Sequence, residues 1–186
     1  MFEIEQGVLY KTSCYLAGPM EFDPRGRGWR EKASIFLKSI GVKVFDPYIK
    51  PYIASDELEE GENARELFYK WLQDGEYDKV AERMKPIRNF DLNCCDRADF
   101  LIFYINKNIP TFGTMEELAE AVSRKRVIFI YVEGGKKNCP LWLYGMLNHQ
   151  YFYNSIEEII EKLKDINDGK EPVNNDKWRL LKSQFR

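Results

Sequence analysis

Phe100-Leu101-Ile102-Phe103-Tyr104-Ile105, followed after a short loop by Pro110-Thr111-Phe112-Gly113-Thr114-Met115-Glu116-Glu117-Leu118, is the stretch on which the fold turns. The first run is continuously apolar and rich in β-branched and aromatic residues, the signature of a strand buried on both faces. The second is a glycine-bearing loop that opens a helical pattern over Leu118 to Arg124. A loop of this kind between a buried strand and a helix start is where open α/β sheets hold ligands. Glu117 is expected in the first turn of that helix, at the ligand edge of the sheet. Thr114-x-x-Glu117 also fits a capping box, a device for starting a helix, so this stretch alone leaves cap and catalyst both open.

Working outward on the N-terminal side, Thr12 to Ala17 reads as a strand closed by Gly18-Pro19. After the loop from Met20 to Gly28, Trp29, Ala33, Phe36, Leu37 and Ile40 recur at helical spacing, and Gly41 stops the helix. Val42 to Phe45 is the second strand, ended by Asp46-Pro47, which completes a β-α-β unit of about thirty residues. Residues 48–85 break the rhythm: acidic, helix-favouring and too long for an ordinary connection. They read as a helical insertion at the ligand edge, serving either as scaffold or subunit contact or as a lid or specificity element. Pro86 suits the first turn of a further helix, with Ile87, Phe90, Cys94 and Ala98 on its buried face.

On the C-terminal side, Arg126 to Val132 is a fourth strand and Gln150 to Tyr153 a weak fifth. Ser155-x-x-Glu158 caps a helix whose apolar face carries Ile156, Ile159, Ile160 and Leu163. Residues 170–186 form a polar link and a tail helix carrying Trp178, Leu181 and Phe185. The whole of 1–186 is expected to be a single α/β domain: a doubly wound, Rossmann- or flavodoxin-like sheet of about five parallel strands with a helical insertion after strand two. In the order 2-1-3-4-5 the switch point lies between strands one and three, so the loops after Ala17 and Ile105 meet there.

Composition narrows the chemistry. At 186 residues and 44% hydrophobic, the chain can bury a sizeable core. A net charge of −2 offers no electrostatic case for nucleic acid or membrane. The sequence from Met1 to Met20 has no secretory pattern and no apolar run approaches a membrane span, which points to the cytoplasm. Four cysteines (Cys14, Cys94, Cys95 and Cys139) lack metal spacing, and the lone His149 argues against a histidine-based site, so no metal or cofactor is expected.

Asp91 falls early in the helix expected from Pro86, whose N-terminal half lies at the carboxyl edge of the sheet. Asp91, Glu117, Tyr15 and Gly18 can therefore face one crevice, although by spacing alone Asp91 also fits a solvated helix face. Two carboxylates, a phenol and glycine-loop amides suit work on a glycosidic bond.

Here the sequence resembles the nucleoside 2-deoxyribosyltransferases and the related deoxynucleoside 5′-monophosphate N-glycosidases. The resemblance rests on Tyr15-Leu16-Ala17-Gly18-Pro19, on Asp91-Leu92-Asn93 followed by Ala98-Asp99, and on Gly113-Thr114-Met115-Glu116-Glu117-Leu118 with Ala121. It implies that Glu117 is a nucleophile forming a glycosyl-enzyme intermediate, that Asp91 contacts and helps protonate the base, and that Tyr15 orients Glu117. Gly18, Pro19, Asn93, Gly113 and Thr114 would contribute to substrate binding; Glu116 is the nearest rival to Glu117. At position 111 the transferases carry Asp and the monophosphate hydrolases Ser; this chain has Thr111, whose hydroxyl can donate to a phosphate. Arg25 and Arg27 in the loop before the first helix offer further phosphate donors, or are solvated turn residues.

The resemblance also implies a homo-oligomer whose sites lie near subunit interfaces, completed from the connection Asn138 to His149. Trp142 and Tyr144 there fit either an interface or their own core. The expected substrate is a small nucleoside or its 5′-monophosphate, with transfer to a base or to water both open. The rivals are a phosphoribohydrolase, whose helix start is similar but one residue longer, an NAD glycohydrolase, and a nucleotide-binding sensor without turnover.

Overall fold

The computed structural model describes residues 7–20, 27–49 and 62–171. A five-stranded parallel sheet runs through it: β1 (Ser13–Ala17), β2 (Lys43–Phe45), β3 (Phe100–Ile105), β4 (Val127–Val132) and β5 (Phe152–Tyr153). The strand order is β2-β1-β3-β4-β5, and every neighbouring pair is parallel. Chain reversal at β1 therefore leaves a crevice at the carboxyl ends of β1 and β3, as the alternating pattern predicts.

Among the described residues six α-helices accompany the strands: α1 (Arg27–Ser39), α2 (Glu62–Gln73), α3 (Tyr77–Arg97), α4 (Phe112–Ser123), α5 (Leu141–Met146) and α6 (Ile156–Asn167). Because side chains alternate along a strand, the sheet feeds two cores. Leu16, Phe100, Ile102 and Phe129 pack with Trp29, Ala33 and Leu37 of α1 and Ile159 and Leu163 of α6. Tyr15, Ala17, Leu101, Phe103 and Ile130 pack on the other face, with Cys95 of α3, Leu118 and Ala121 of α4 and Leu143 of α5. Each fully buried aliphatic or aromatic side chain contributes about 1.5–3 kcal/mol. The same alternation decides which face Tyr15 joins, and it is the face that α3 and α4 cover.

At the amino edge of the sheet Asp99 ties β3 to β1, its Oδ2 accepting from Ser13 N at 2.7 Å and Ser13 Oγ at 2.8 Å. Gly41 ends the turn after α1 at φ +78°, a conformation that favours glycine. Ser155 caps α6 by accepting from Glu158 N at 3.2 Å, as its spacing predicts.

Two helix starts differ from the sequence expectation. α4 begins at Phe112, not Leu118, with its first turn closed by Met115 N on Thr111 O at 2.9 Å. Thr114 and Glu117 are thus interior helical residues, and the capping box is not formed. α3 begins at Tyr77, and Pro86 lies inside it instead of in its first turn. A proline there removes one backbone donor and crowds the carbonyl four residues back. The helix runs through nonetheless, and its N-terminal part packs on α2. Within the 48–85 segment the described part is helical, built from α2 and the start of α3. Residues 50–61 and, of the tail expected over 170–186, residues 172–186 lie outside the described residues.

Candidate active site

Strand β1 delivers Tyr15 to the interior and then breaks at Gly18-Pro19. Tyr15 is 1% exposed, and its Oη donates to Glu117 Oε1 at 2.6 Å. Burial first, then the negative charges of Glu117 and Asp91, push the Tyr15 hydroxyl well above its ordinary value. It therefore stays a neutral donor aimed at one carboxylate oxygen.

The turn after β1 is held from below by Arg30, a 1%-exposed residue of α1. Its Nη1 donates to Leu16 O and its Nη2 to Gly18 O at 2.9 Å, while Asp46 lies 3.7 Å from Nη1. The guanidinium also stacks against Trp29 and Tyr48, its central carbon 4.7 and 5.2 Å from their rings. The neighbouring glycine is required by space. A Cβ on Gly18 would lie 2.9 Å from Trp29 Cζ2 and 3.2 Å from Tyr104 Cβ.

Helix α4 separates two adjacent carboxylates into opposite environments. Glu117, 9% exposed, points inward to Tyr15. Glu116 points outward into a forked pair with Arg88 of α3, whose Nε lies 2.9 Å from Oε2. The Arg88 hydrogen bonds hold the Glu116 carboxyl below its usual range.

A cleft of about 170 Å³ opens over these residues. Its wall includes Tyr15, Gly18, Pro19, Asp91, Thr111, Gly113, Thr114 and Glu117. Asp91 enters from the C-terminal half of α3, since the helix starts at Tyr77, well before Pro86, and so extends beyond the part that flanks the sheet. Thr111 is the N-cap residue of α4, makes no side-chain capping bond and lines the cleft.

Two expected contacts, Asn93 and Arg27, are not brought to the cleft. Asn93, two residues beyond Asp91 on a helix, is exposed and does not line the cleft. Arg27 lies 4.8 Å over the Tyr48 ring and does not line it either. Arg25 lies outside the described residues. In the β4–β5 connection Asn138 donates to Gly134 O at 3.3 Å and holds its own turn, and His149 is exposed. Tyr144 packs within the chain, its ring 5.0 Å from Phe152, whereas Trp142 is 83% exposed.

Sequence reasoning missed Arg30, Pro47 and the methionines Met20 and Met84, the last three of which line the cleft. Pro47 had a signal, since it follows the carboxyl end of β2. Arg30 had none, because an arginine in a helix is normally solvated.

The family model described as nucleoside 2-deoxyribosyltransferase matches residues 14–151 of the chain. Among solved structures, a 2-deoxyribosyltransferase from the psychrotolerant bacterium Bacillus psychrosaccharolyticus is similar at 18% identity and a TM-score of 0.52, covering 80% of this chain and 90% of that one. The CMP N-glycosidase of Clostridium botulinum is similar at 15% identity and a TM-score of 0.45, covering 82% of this chain and 98% of that one. No curated protein matches the sequence.

Proposed function

This chain belongs to the nucleoside 2-deoxyribosyltransferase family, and from that premise we propose that it cleaves the N-glycosidic bond of a 2-deoxynucleoside or its 5′-monophosphate through Glu117. The observation that carries the reading is the buried 2.6 Å hydrogen bond from Tyr15 to Glu117 in a cleft that Asp91 also lines. One Glu117 oxygen accepts from Tyr15, which leaves the other to attack C1′. As the ester to C1′ forms, the C1′–N bond breaks and its electron pair leaves with the base. Asp91, in its acid form, gives the base a proton. Water or an acceptor base then attacks C1′, Glu117 leaves as the carboxylate, and the proton released returns to Asp91. The double displacement retains configuration.

Thr111 favours the 5′-monophosphate. A hydroxyl beside a helix N-terminus can donate to phosphate, where a carboxylate would repel it. The site is also proposed to lie near a subunit interface. Phe112, 86% exposed, lines the cleft, and Leu141 and Trp142 at the start of α5 are 87% and 83% exposed. Apolar residues so exposed favour a homo-oligomer. The family is one of enzymes, which leaves the sensor reading without support. Among the described residues no helix is long and apolar enough to cross a membrane.

Base release by chromatography tests the proposal, using deoxy- and ribonucleosides and their 5′-monophosphates with and without an added free base. Release from deoxy substrates by the wild type but not by Glu117→Ala is expected. A new nucleoside formed only with added base would identify transfer. Inertness of the wild type toward the whole panel would overturn the reading.

A further inference from the structure

Helices α2 and α3 enclose a second hollow of about 240 Å³ beside the cleft, lined by Met20, Arg65, Phe68, Leu72, Val80 and Met84 among others. Its wall is mostly apolar, with polar groups from Tyr69 and from Arg65, whose Nη2 donates to Met20 O at 2.8 Å. Met20 and Met84 line both this hollow and the cleft that holds Glu117, so the two spaces meet across a pair of methionine side chains. Methionine is unbranched and adaptable, and such a boundary can yield to a ligand. Met84 stands seven residues before Asp91 on α3. That spacing is about two helical turns, so both residues share one face of the helix, roughly 10 Å apart along its axis.

We propose that this hollow is an extension of the substrate cleft that takes an apolar substituent carried on the nucleobase; the inference rests on the N-glycosidic reading above. A base whose edge lies against Asp91 has its outward side facing Met84, and a group attached there passes between the methionines into the hollow. An apolar cavity of about 150 Å³ accepts a benzene ring, so the space suffices for a benzyl or branched alkyl group. Continuity with the cleft selects the substrate as occupant. The hollow is built by α2 and the N-terminal part of α3, so residues 62–85 set which bases are accepted.

The test pairs 2′-deoxyadenosine 5′-monophosphate with its N6-benzyl derivative, and 2′-deoxycytidine 5′-monophosphate with its N4-benzyl derivative. Dissociation constants are measured by calorimetry on Glu117→Ala, and kcat/KM on protein with Glu117 intact. Leu72→Trp and Val80→Phe, which fill the hollow, are carried through both assays, with circular dichroism to verify folding. For at least one pair the benzyl compound is expected to bind about tenfold tighter or more, and to have the higher kcat/KM. Either filling substitution should reduce that ratio at least tenfold. Equal or weaker binding of both benzyl compounds, or a ratio that neither substitution moves, would overturn the inference. Tighter benzyl binding that both substitutions abolish, without base release from any compound, would uphold the pocket and sink the N-glycosidase reading.

Discussion

Glu116 and Glu117 are adjacent and chemically identical, yet one faces Arg88 in solvent and the other Tyr15 in the interior. Glu117→Gln, which keeps the shape but not the proposed nucleophile, should reduce base release by at least about 10³-fold. Glu116→Gln removes an exposed ion pair worth roughly 0–1 kcal/mol and should leave kcat within a few-fold. Tyr15→Phe should lower kcat about 10–100-fold, the size of an oriented hydrogen bond or two, with less effect on KM. Steady-state kinetics on the best substrate checks all three. Both carboxylates were visible in the sequence, and the resemblance favoured Glu117. The separation between them was not, because Arg88 and Tyr15 come from 28 and 102 residues away. Arg30 was invisible for a related reason: its partners are backbone carbonyls, which carry no sequence signal.

At the scale of elements, strands were more legible than helix ends. The apolar runs of β3 and β4 mark strands buried on both faces, and the structure extends them to within a residue of the expected limits. Helix α4 starts six residues earlier than its apolar periodicity suggests, because Phe112 at its first position is 86% exposed and breaks the pattern. Helix α3 ignores the start signal at Pro86 because packing against α2 outweighs local preference. Pro86 is exposed, so Pro86→Ala should stabilise the fold by about 1–3 kcal/mol, restoring a helical donor. Gly18→Ala should do the reverse and destabilise by about 1–3 kcal/mol, since the added methyl meets Trp29 and Tyr104. Urea unfolding midpoints distinguish the two directions.

For the whole molecule, the 2-1-3-4-5 order was legible because alternating strands and helices admit few right-handed solutions. What the sequence did not carry was the electrostatic consequence of closing the fold. Burial raises Cys14, Cys95 and Tyr15 above their ordinary values and moves Tyr153 up to about 12. In the unfolded chain thiols lose their protons near about 8.5 and phenols near about 10, while the folded chain still holds them. The unfolded state then binds fewer protons, so stability should be full below about pH 8.5 and fall progressively above it. Thermal melts from pH 7 to 11 check this, and Tyr15→Phe should flatten the upper part of the decline. Trp142→Glu should shift the mass measured by light scattering toward the monomer if α5 lies in an interface.

The most direct single measurement is the mass of the peptide carrying residues 112–124 after rapid acid quench. A deoxynucleoside 5′-monophosphate fluorinated at C2′ is the reagent of choice, because the fluorine slows breakdown of a glycosyl ester by destabilising its oxocarbenium-like transition state. One added sugar phosphate is expected, localised to Glu117 by fragmentation and absent from Glu117→Gln. Base release from that analogue with no adduct, or with the adduct on Glu116, would contradict Glu117 as the nucleophile.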